Sequence, residues 1–227
     1  MLLNKKKIFQ QYTRSPLELP IFTTHAYYRM NENRIYVNSG LLQHPLYYEN
    51  GSLASKFGAL GWVISHEIMH GIGIRGVLFD SAGASLTGLS GFMLSSVIET
   101  KASCISDQYR LYEFTDYKAL QSDTRDEILA DIGGLKASYY TYKRLYEKYS
   151  NNVNLSLISD QSFFLSFAQS LCGHHSGTSL LIHSVVVPHV MERYRVFGAL
   201  VNSKEFAHAY GCPVGSPMNP DKKCDIW

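Results

Sequence analysis

The 227-residue chain has no run long and apolar enough to span a membrane; its longest candidates are broken by Gly, Ser or His. Nor does it open like a secretory leader, because Met1-Leu2-Leu3 leads into Lys5-Lys6-Lys7 with no apolar segment after them. Two readings stay open on that ground: a cytosolic protein, or one whose N-terminal address lies outside this sequence. Charge is scarce too. Charged residues make up 18% and the net charge is +2, too little to argue for nucleic acid or for an anionic membrane surface. The four cysteines, Cys104, Cys172, Cys212 and Cys224, show no Cys-x-x-Cys spacing, which argues against a structural zinc ribbon. Their even number allows two disulfides or four buried thiols. No internal repeat or low-complexity tract is present.

What the chain does have is 45% hydrophobic residues, a length that buries a substantial core, and the composition of one globular domain with a small appendage. Residues 21–28 are rich in β-branched and aromatic types, and Arg34-Ile35-Tyr36-Val37 repeats the pattern after Asn31-Glu32-Asn33. That arrangement predicts a β-hairpin. Helical patterning follows over residues 57–70, 95–112, 122–149, 161–171 and 203–210, with a further helix starting at Pro188. Between them, 76–91 reads as an ordered Gly- and Ser-rich loop, and 211–227 as an irregular tail. The fold class is α+β, mostly helical, with a small N-terminal β-sheet.

The apolar helix ending at Gly71 contains His66-Glu67-Ile68-Met69-His70. Four residues advance a helix by about one turn, so both imidazoles project from one face and can take adjacent positions on one Zn²⁺. Glu67 lies beside the first of them, within reach of a metal-activated water without being a ligand. The plain alternative is a partly buried helix whose histidines bond to nearby backbone. A catalytic zinc needs a third protein ligand and an open position. Glu127 and Asp131 share a helix face further on, so one carboxylate could bind metal while the other fixes a histidine tautomer. A lone Glu-x-x-x-Asp is more often a solvated helix start. Here Gly133 and Gly134 follow, each costing a helix about 1 kcal/mol and permitting close approach of another backbone.

Together, His66-Glu67-x-x-His70 and Glu127-x-x-Ala130-Asp131-x-Gly133-Gly134 resemble the neprilysin and endothelin-converting-enzyme family of zinc metallopeptidases. Other segments resemble that family in the same order: His25-Ala26-Tyr27-Tyr28, Ser39-Gly40-Leu41-Leu42-Gln43-x-Pro45, and Phe163 to Gln169 ahead of Cys172-Gly173. The ending Met218-Asn219-Pro220-x-x-Lys223-Cys224-x-x-Trp227 does so too. The resemblance implies a gluzincin-type metallopeptidase catalytic domain over residues 19–227, preceded by an extension at 1–18. It implies one zinc per chain on His66, His70 and Glu127, with Glu67 as the catalytic carboxylate and Asp131 supporting a ligand. His189 and Arg195 match the family's His-x5-Arg, which implies transition-state stabilisation by the first and substrate-carbonyl binding by the second. His25 and Ala26 would pair with substrate backbone. The implied reaction is zinc-dependent hydrolysis of peptides on the amino side of apolar residues, with peptides and not nucleic acid as partners.

The chain departs from the family in several places. His70 is followed by Gly71-Ile72-Gly73-Ile74, without the usual aspartates, which removes the expected acceptor for His70. His25 stands for an asparagine, while Leu171 and Trp62 alter positions expected to shape the specificity pocket. The resemblance also covers only the family's C-terminal catalytic portion, without its cytoplasmic tail, membrane anchor or upstream helical lobe. It implies a Cys104–Cys224 disulfide, with Cys172 and Cys212, whose usual partners lie in the upstream region, either free or improperly paired, and an extracellular or secretory location. A non-catalytic zinc- or peptide-binding protein is the rival reading.

Overall fold

One long helix, α4 (Ser122–Tyr149), gives the molecule its axis. The computed structural model describes residues 19–86, 88–111, 122–149, 156–177, 179 and 187–227. The expected extension at 1–18 and Tyr112, the last residue of the helix expected over 95–112, lie outside the described residues.

The chain enters through strands β1 (Ala26–Arg29) and β2 (Arg34–Val37), antiparallel with Ala26 opposite Val37 and Arg29 opposite Arg34. Asn33 adopts a left-handed conformation at φ 44° to close this hairpin, a geometry Asn tolerates better than most residues. Helix α1 (Leu53–Lys56) begins under a Ser52 cap and runs through a π-helical stretch, Phe57–Gly61, into α2 (Trp62–His70). Ser138 Oγ on α4 donates to the Phe57 carbonyl at 2.7 Å, tying the π stretch to the axis.

Helix α3 (Leu89–Tyr109) starts six residues before the position expected from sequence. Ser and Gly at 88–96 read as loop by composition, but Leu89, Phe92, Met93 and Val97 recur at helical spacing between them. Helix α5 (Ser156–Ser170) likewise begins earlier than expected. Two C-terminal helices, α6 (Glu192–Asn202) and α7 (Lys204–Ala209), complete the described elements.

Packing follows from α4. Its residues Ile128, Leu129, Ile132, Leu135, Tyr139 and Tyr142 are buried and recur every three or four positions. They meet Phe163, Phe164 and Phe167 of α5, Ile105 and Tyr109 of α3, and Leu200 of α6 in one core. Full burial of each large apolar side chain is worth about 1.5–3 kcal/mol. A Cys104–Cys224 disulfide ties α3 to the tail, while Cys172 and Cys212 are free. Trp227 lies along α4, its indole donating to the Leu129 carbonyl at 3.3 Å.

Candidate active site

Helices α2 and α4 pack face to face, and the site forms where they approach most closely. A Cβ on Gly134 would sit 2.8 Å from the His66 backbone nitrogen, so any larger residue there would force the helices apart. That contact brings His66 and His70, one turn apart on α2, against Glu127 and Asp131, one turn apart on α4.

The two histidines place their Nε2 atoms 3.1 Å apart. Glu127 Oε2 lies 3.2 Å from His66 Nε2 and 3.5 Å from His70 Nε2. A tetrahedral metal with bonds of about 2.0–2.1 Å has ligand atoms roughly 3.3 Å apart. The three atoms therefore stand at the corners such an ion requires. Glu127 Oε2 is buried without an aligned hydrogen bond, although imidazole nitrogens surround it, and a cation among them would satisfy it. Ligand atoms of His66, Glu127 and His189 also cluster within 4.8 Å, with His189 Nε2 2.9 Å from Glu127 Oε2. The His189 ring is farther from His66, at 6.2 Å between centroids against 4.7 Å for His70. His66, His70 and Glu127 are the tighter set.

Charge at the site is strongly organised. Burial works against ionised Glu127, but His189, His66 and His70 outweigh it and hold the carboxyl far below its usual range. Burial also disfavours protonated His70, and Asp126 and Glu127 override it, raising its pKa to about 10 without metal. Glu67, 7% exposed in the cleft wall, is pushed up chiefly by burial.

Asp131 is almost wholly enclosed. Its Oδ1 lies 2.9 Å from His66 Nδ1, the position that fixes this ring's tautomer. Arg195 grips it from the other side, with Nε to Oδ2 at 2.8 Å and Nη2 to Oδ1 at 2.6 Å. Burial opposes the charge on Asp131, and Arg195 and His66 overcome it, leaving a pKa of about 2. The Arg195 fork expected to hold a substrate carbonyl is thus turned onto Asp131. Trp62 supports the group from below, its indole donating to the Asp131 carbonyl at 3.3 Å and lying 5.4 Å beneath the Arg195 guanidinium.

Two sequence expectations change here. The helix expected from Pro188 begins instead at Glu192, after a bend at Pro188 and His189 and with Met191 at ψ 148° as its N-cap. His189 therefore sits on an irregular segment, pinned where Thr124 Oγ1 donates to the Pro188 carbonyl at 2.7 Å. A carboxylate does stand beside His70 despite the missing aspartates: Asp126 Oδ2 lies 3.6 Å from His70 Nδ1, an ion-pair distance. Sequence reading missed it because an acid in the first turns of a helix is expected on dipole grounds alone.

His66, Glu67, His70, Asp126, Glu127, His189 and Arg195 line a cleft of about 930 Å³, with Asp131 enclosed behind them. His25 and Ala26 line its rim with the rest of β1, and Asn38 Nδ2 anchors the His25 carbonyl at 2.9 Å. Val63, Phe79, Leu171 and Val187 supply apolar wall.

Residues 25–226 match the model of Peptidase family M13. Endothelin-converting enzyme 1 of Rattus norvegicus is 36% identical over 209 residues, covering 89% of this chain and 27% of that protein. Endothelin-converting enzyme-like 1 of Homo sapiens is 32% identical over 228 residues, covering 99% of the chain and 29% of the relative. The chain thus spans less than a third of the curated relatives it matches. Among solved structures, a Haemonchus galactose-containing glycoprotein complex superimposes with a TM-score of 0.78 at 28% identity, over 89% of this chain and 35% of that one. Mycobacterium tuberculosis zinc metalloprotease ZMP1 with inhibitor gives 0.76 at 23% identity, over 92% and 33%, which speaks to the fold.

Proposed function

The chain belongs to Peptidase family M13, and on that premise we propose that it is a zinc-dependent metalloendopeptidase acting on oligopeptides. One observation carries the reading: Nε2 of His66, Nε2 of His70 and Oε2 of Glu127 stand 3.1–3.5 Å from one another beside a buried Glu67. These three side chains hold one zinc per chain, and residues 19–227 form the catalytic domain. Zinc, when bound, lowers the pKa of water and polarises a peptide carbonyl.

The protein's own groups supply the rest. Glu67 takes the proton of the attacking water and passes it to the leaving amine, and its raised pKa suits a carboxylate that must hold a proton between those steps. His189 donates toward the charge that develops on the carbonyl oxygen. Asp131 Oδ1, 2.9 Å from His66 Nδ1, favours the proton on that nitrogen and leaves the Nε2 lone pair for the metal. Arg195 holds Asp131 and also lines the cleft, and its remaining N–H groups are assigned to a downstream substrate carbonyl.

Substrate backbone pairs along β1. One edge of that strand bonds to β2, and among the described residues no strand covers the other. His25 and Ala26 begin that edge. The apolar wall formed by Val63, Phe79 and Leu171 fits an apolar side chain just after the cleaved bond. A disulfide between Cys104 and Cys224 supports an oxidising location, outside the cell or in the secretory pathway. No described helix is long and apolar enough to cross a membrane.

The test is zinc content and peptide hydrolysis of the 227-residue protein. Stoichiometric zinc is expected, abolished by His66→Ala or Glu127→Ala, with Glu67→Gln retaining zinc and losing hydrolysis. Full zinc in both ligand variants would overturn the assignment. Zinc binding without hydrolysis of any peptide by the parent would leave the rival zinc- or peptide-binding protein.

A further inference from the structure

We propose that Asp126 is the positioning carboxylate of His70, and that residue 73 is glycine because Asp126 occupies the space its side chain would need. The proposal rests on the zinc reading above and goes beyond it. Asp126 is 3% exposed on α4, immediately before Glu127. Its Oδ2 lies 3.6 Å from His70 Nδ1, and among the described residues no other carboxylate oxygen lies within 4.0 Å of that nitrogen. Glu127 stands on the opposite side of the ring, with Oε2 3.5 Å from Nε2. Two consecutive residues of one helix therefore bracket both nitrogens of a single imidazole. The first fixes tautomer and orientation, and the second shares the metal.

The other Asp126 oxygen has a separate task. Oδ1 accepts from the Ile74 backbone N–H at 2.6 Å, fastening the turn that ends α2. A Cβ on residue 73 would come within 2.3 Å of this oxygen. A side chain at 73 and the Asp126 carboxylate thus exclude one another. The family resemblance leads one to expect an acid directly after His70, where this chain has Gly71-Ile72-Gly73-Ile74. The acidic group has been replaced in space though not in sequence: α4 fills from one side the volume that residue 73 would fill from the other.

A purely structural role, capping Ile74, is the alternative. Asp126→Asn separates the two, because its amide oxygen still accepts from Ile74 while its negative charge is gone. The experiment is zinc affinity of the 227-residue protein by chelator competition, the visible spectrum of the cobalt-substituted protein, and the unfolding midpoint without metal. Asp126→Asn is expected to weaken zinc by about 10–100-fold and to alter the cobalt spectrum, while a cooperative metal-free transition shows that the variant still folds. Asp126→Gly combined with Gly73→Asp is expected to recover most of the affinity that Asp126→Gly alone loses. An Asn variant with the parent's zinc affinity and cobalt spectrum overturns the proposal while the zinc reading stands. A parent that binds no zinc overturns both. Should Asp126→Gly fail to fold, the Asn variant decides alone.

Discussion

Arg195 holds Asp131 through two hydrogen bonds of 2.8 and 2.6 Å, with the Arg195 side chain 14% exposed and Asp131 buried at 1%. Removing one partner of such a pair leaves an uncompensated charge in the interior, at a cost of about 3–5 kcal/mol. Arg195→Ala is therefore expected to lower the urea midpoint of the metal-free protein and to weaken zinc retention, besides raising KM. Arg195→Lys keeps the charge but loses the fork, and should recover little. An unchanged midpoint in Arg195→Ala would mean that the pair contributes nothing to the fold.

His189 lies 2.9 Å from Glu127 Oε2, close enough to compete for a place among the ligands. If it acts on the transition state, His189→Ala lowers kcat by about 10²–10³ and leaves both KM and zinc content unchanged. Loss of zinc from that variant would make His189 a ligand and remove it from catalysis.

The metal-free protein should show an optimum of stability in mild acid. His70 is raised from 6.5 to about 10 by Asp126 and Glu127, against burial, so the folded state holds this proton more tightly than the unfolded chain. Its contribution is full below pH 6.5 and is lost as pH rises through about 10. Glu127 runs the other way: depressed below 4.5, it contributes above that pH and loses its contribution as acid protonates it. Urea midpoints in chelator should therefore fall on both sides of this window. Zinc displaces the His70 proton, so zinc-loaded protein should lose the alkaline decline and zinc affinity should climb from pH 6 to 9. A flat alkaline limb in chelator would contradict the charge state of His70.

Gly134→Ala tests the approach of the two helices. The added Cβ would meet the His66 backbone at 2.8–2.9 Å, where no side chain can move aside. A loss of about 1–3 kcal/mol is expected from such overpacking, with weaker zinc binding as His66 is pushed from Glu127. Thermal unfolding and chelator competition measure both, and a variant as stable and as zinc-avid as the parent would exclude the constraint.

The disulfide closes a loop of 120 residues, so its reduction should cost about 4–5 kcal/mol in the chain-entropy model. Unfolding with and without reductant checks this. Cys172, which is exposed, should react with a thiol reagent faster than the half-buried Cys212. Peptide mapping that finds Cys172 joined to Cys212 in monomeric protein would overturn the pairing.

The hairpin, α2, α4 and α7 were legible in the sequence because each is marked locally: strand residues around an Asn turn, apolar residues at helical spacing, an acidic first turn. His66-x-x-x-His70 and Glu127-x-x-x-Asp131 each put two side chains on one helix face, but spacing alone favoured a solvated helix start for the second pair, and it was the family resemblance that joined them. Asp126 was not, since its partners, His70 and Ile74, lie more than fifty positions away and come near only when α2 and α4 pack. The Arg195 fork was hidden for the same reason, its acceptor being on another helix. The start of α6 was misplaced because Pro188 suits a helix entrance locally, whereas the chain bends at Pro188 and His189 and buries Val190 and Met191 before the helix begins.

The closeness that Gly134 allows has a consequence for design. Six groups around the candidate centre (His66, Glu67, His70, Asp126, Glu127 and Asp131) all come from two antiparallel-capable helical segments, Trp62–His70 and Ser122–Tyr149. Only His189 and Arg195 arrive from elsewhere. The part proposed to hold metal is thus a transferable unit: two helices with a glycine at their crossing, histidines at i and i+4 on one, and an acid triplet at i, i+1 and i+5 on the other. Grafted onto a plain helical bundle at that spacing, the pair should bind metal without turning over substrate, because metal capture and transition-state stabilisation are housed in separate parts of the chain.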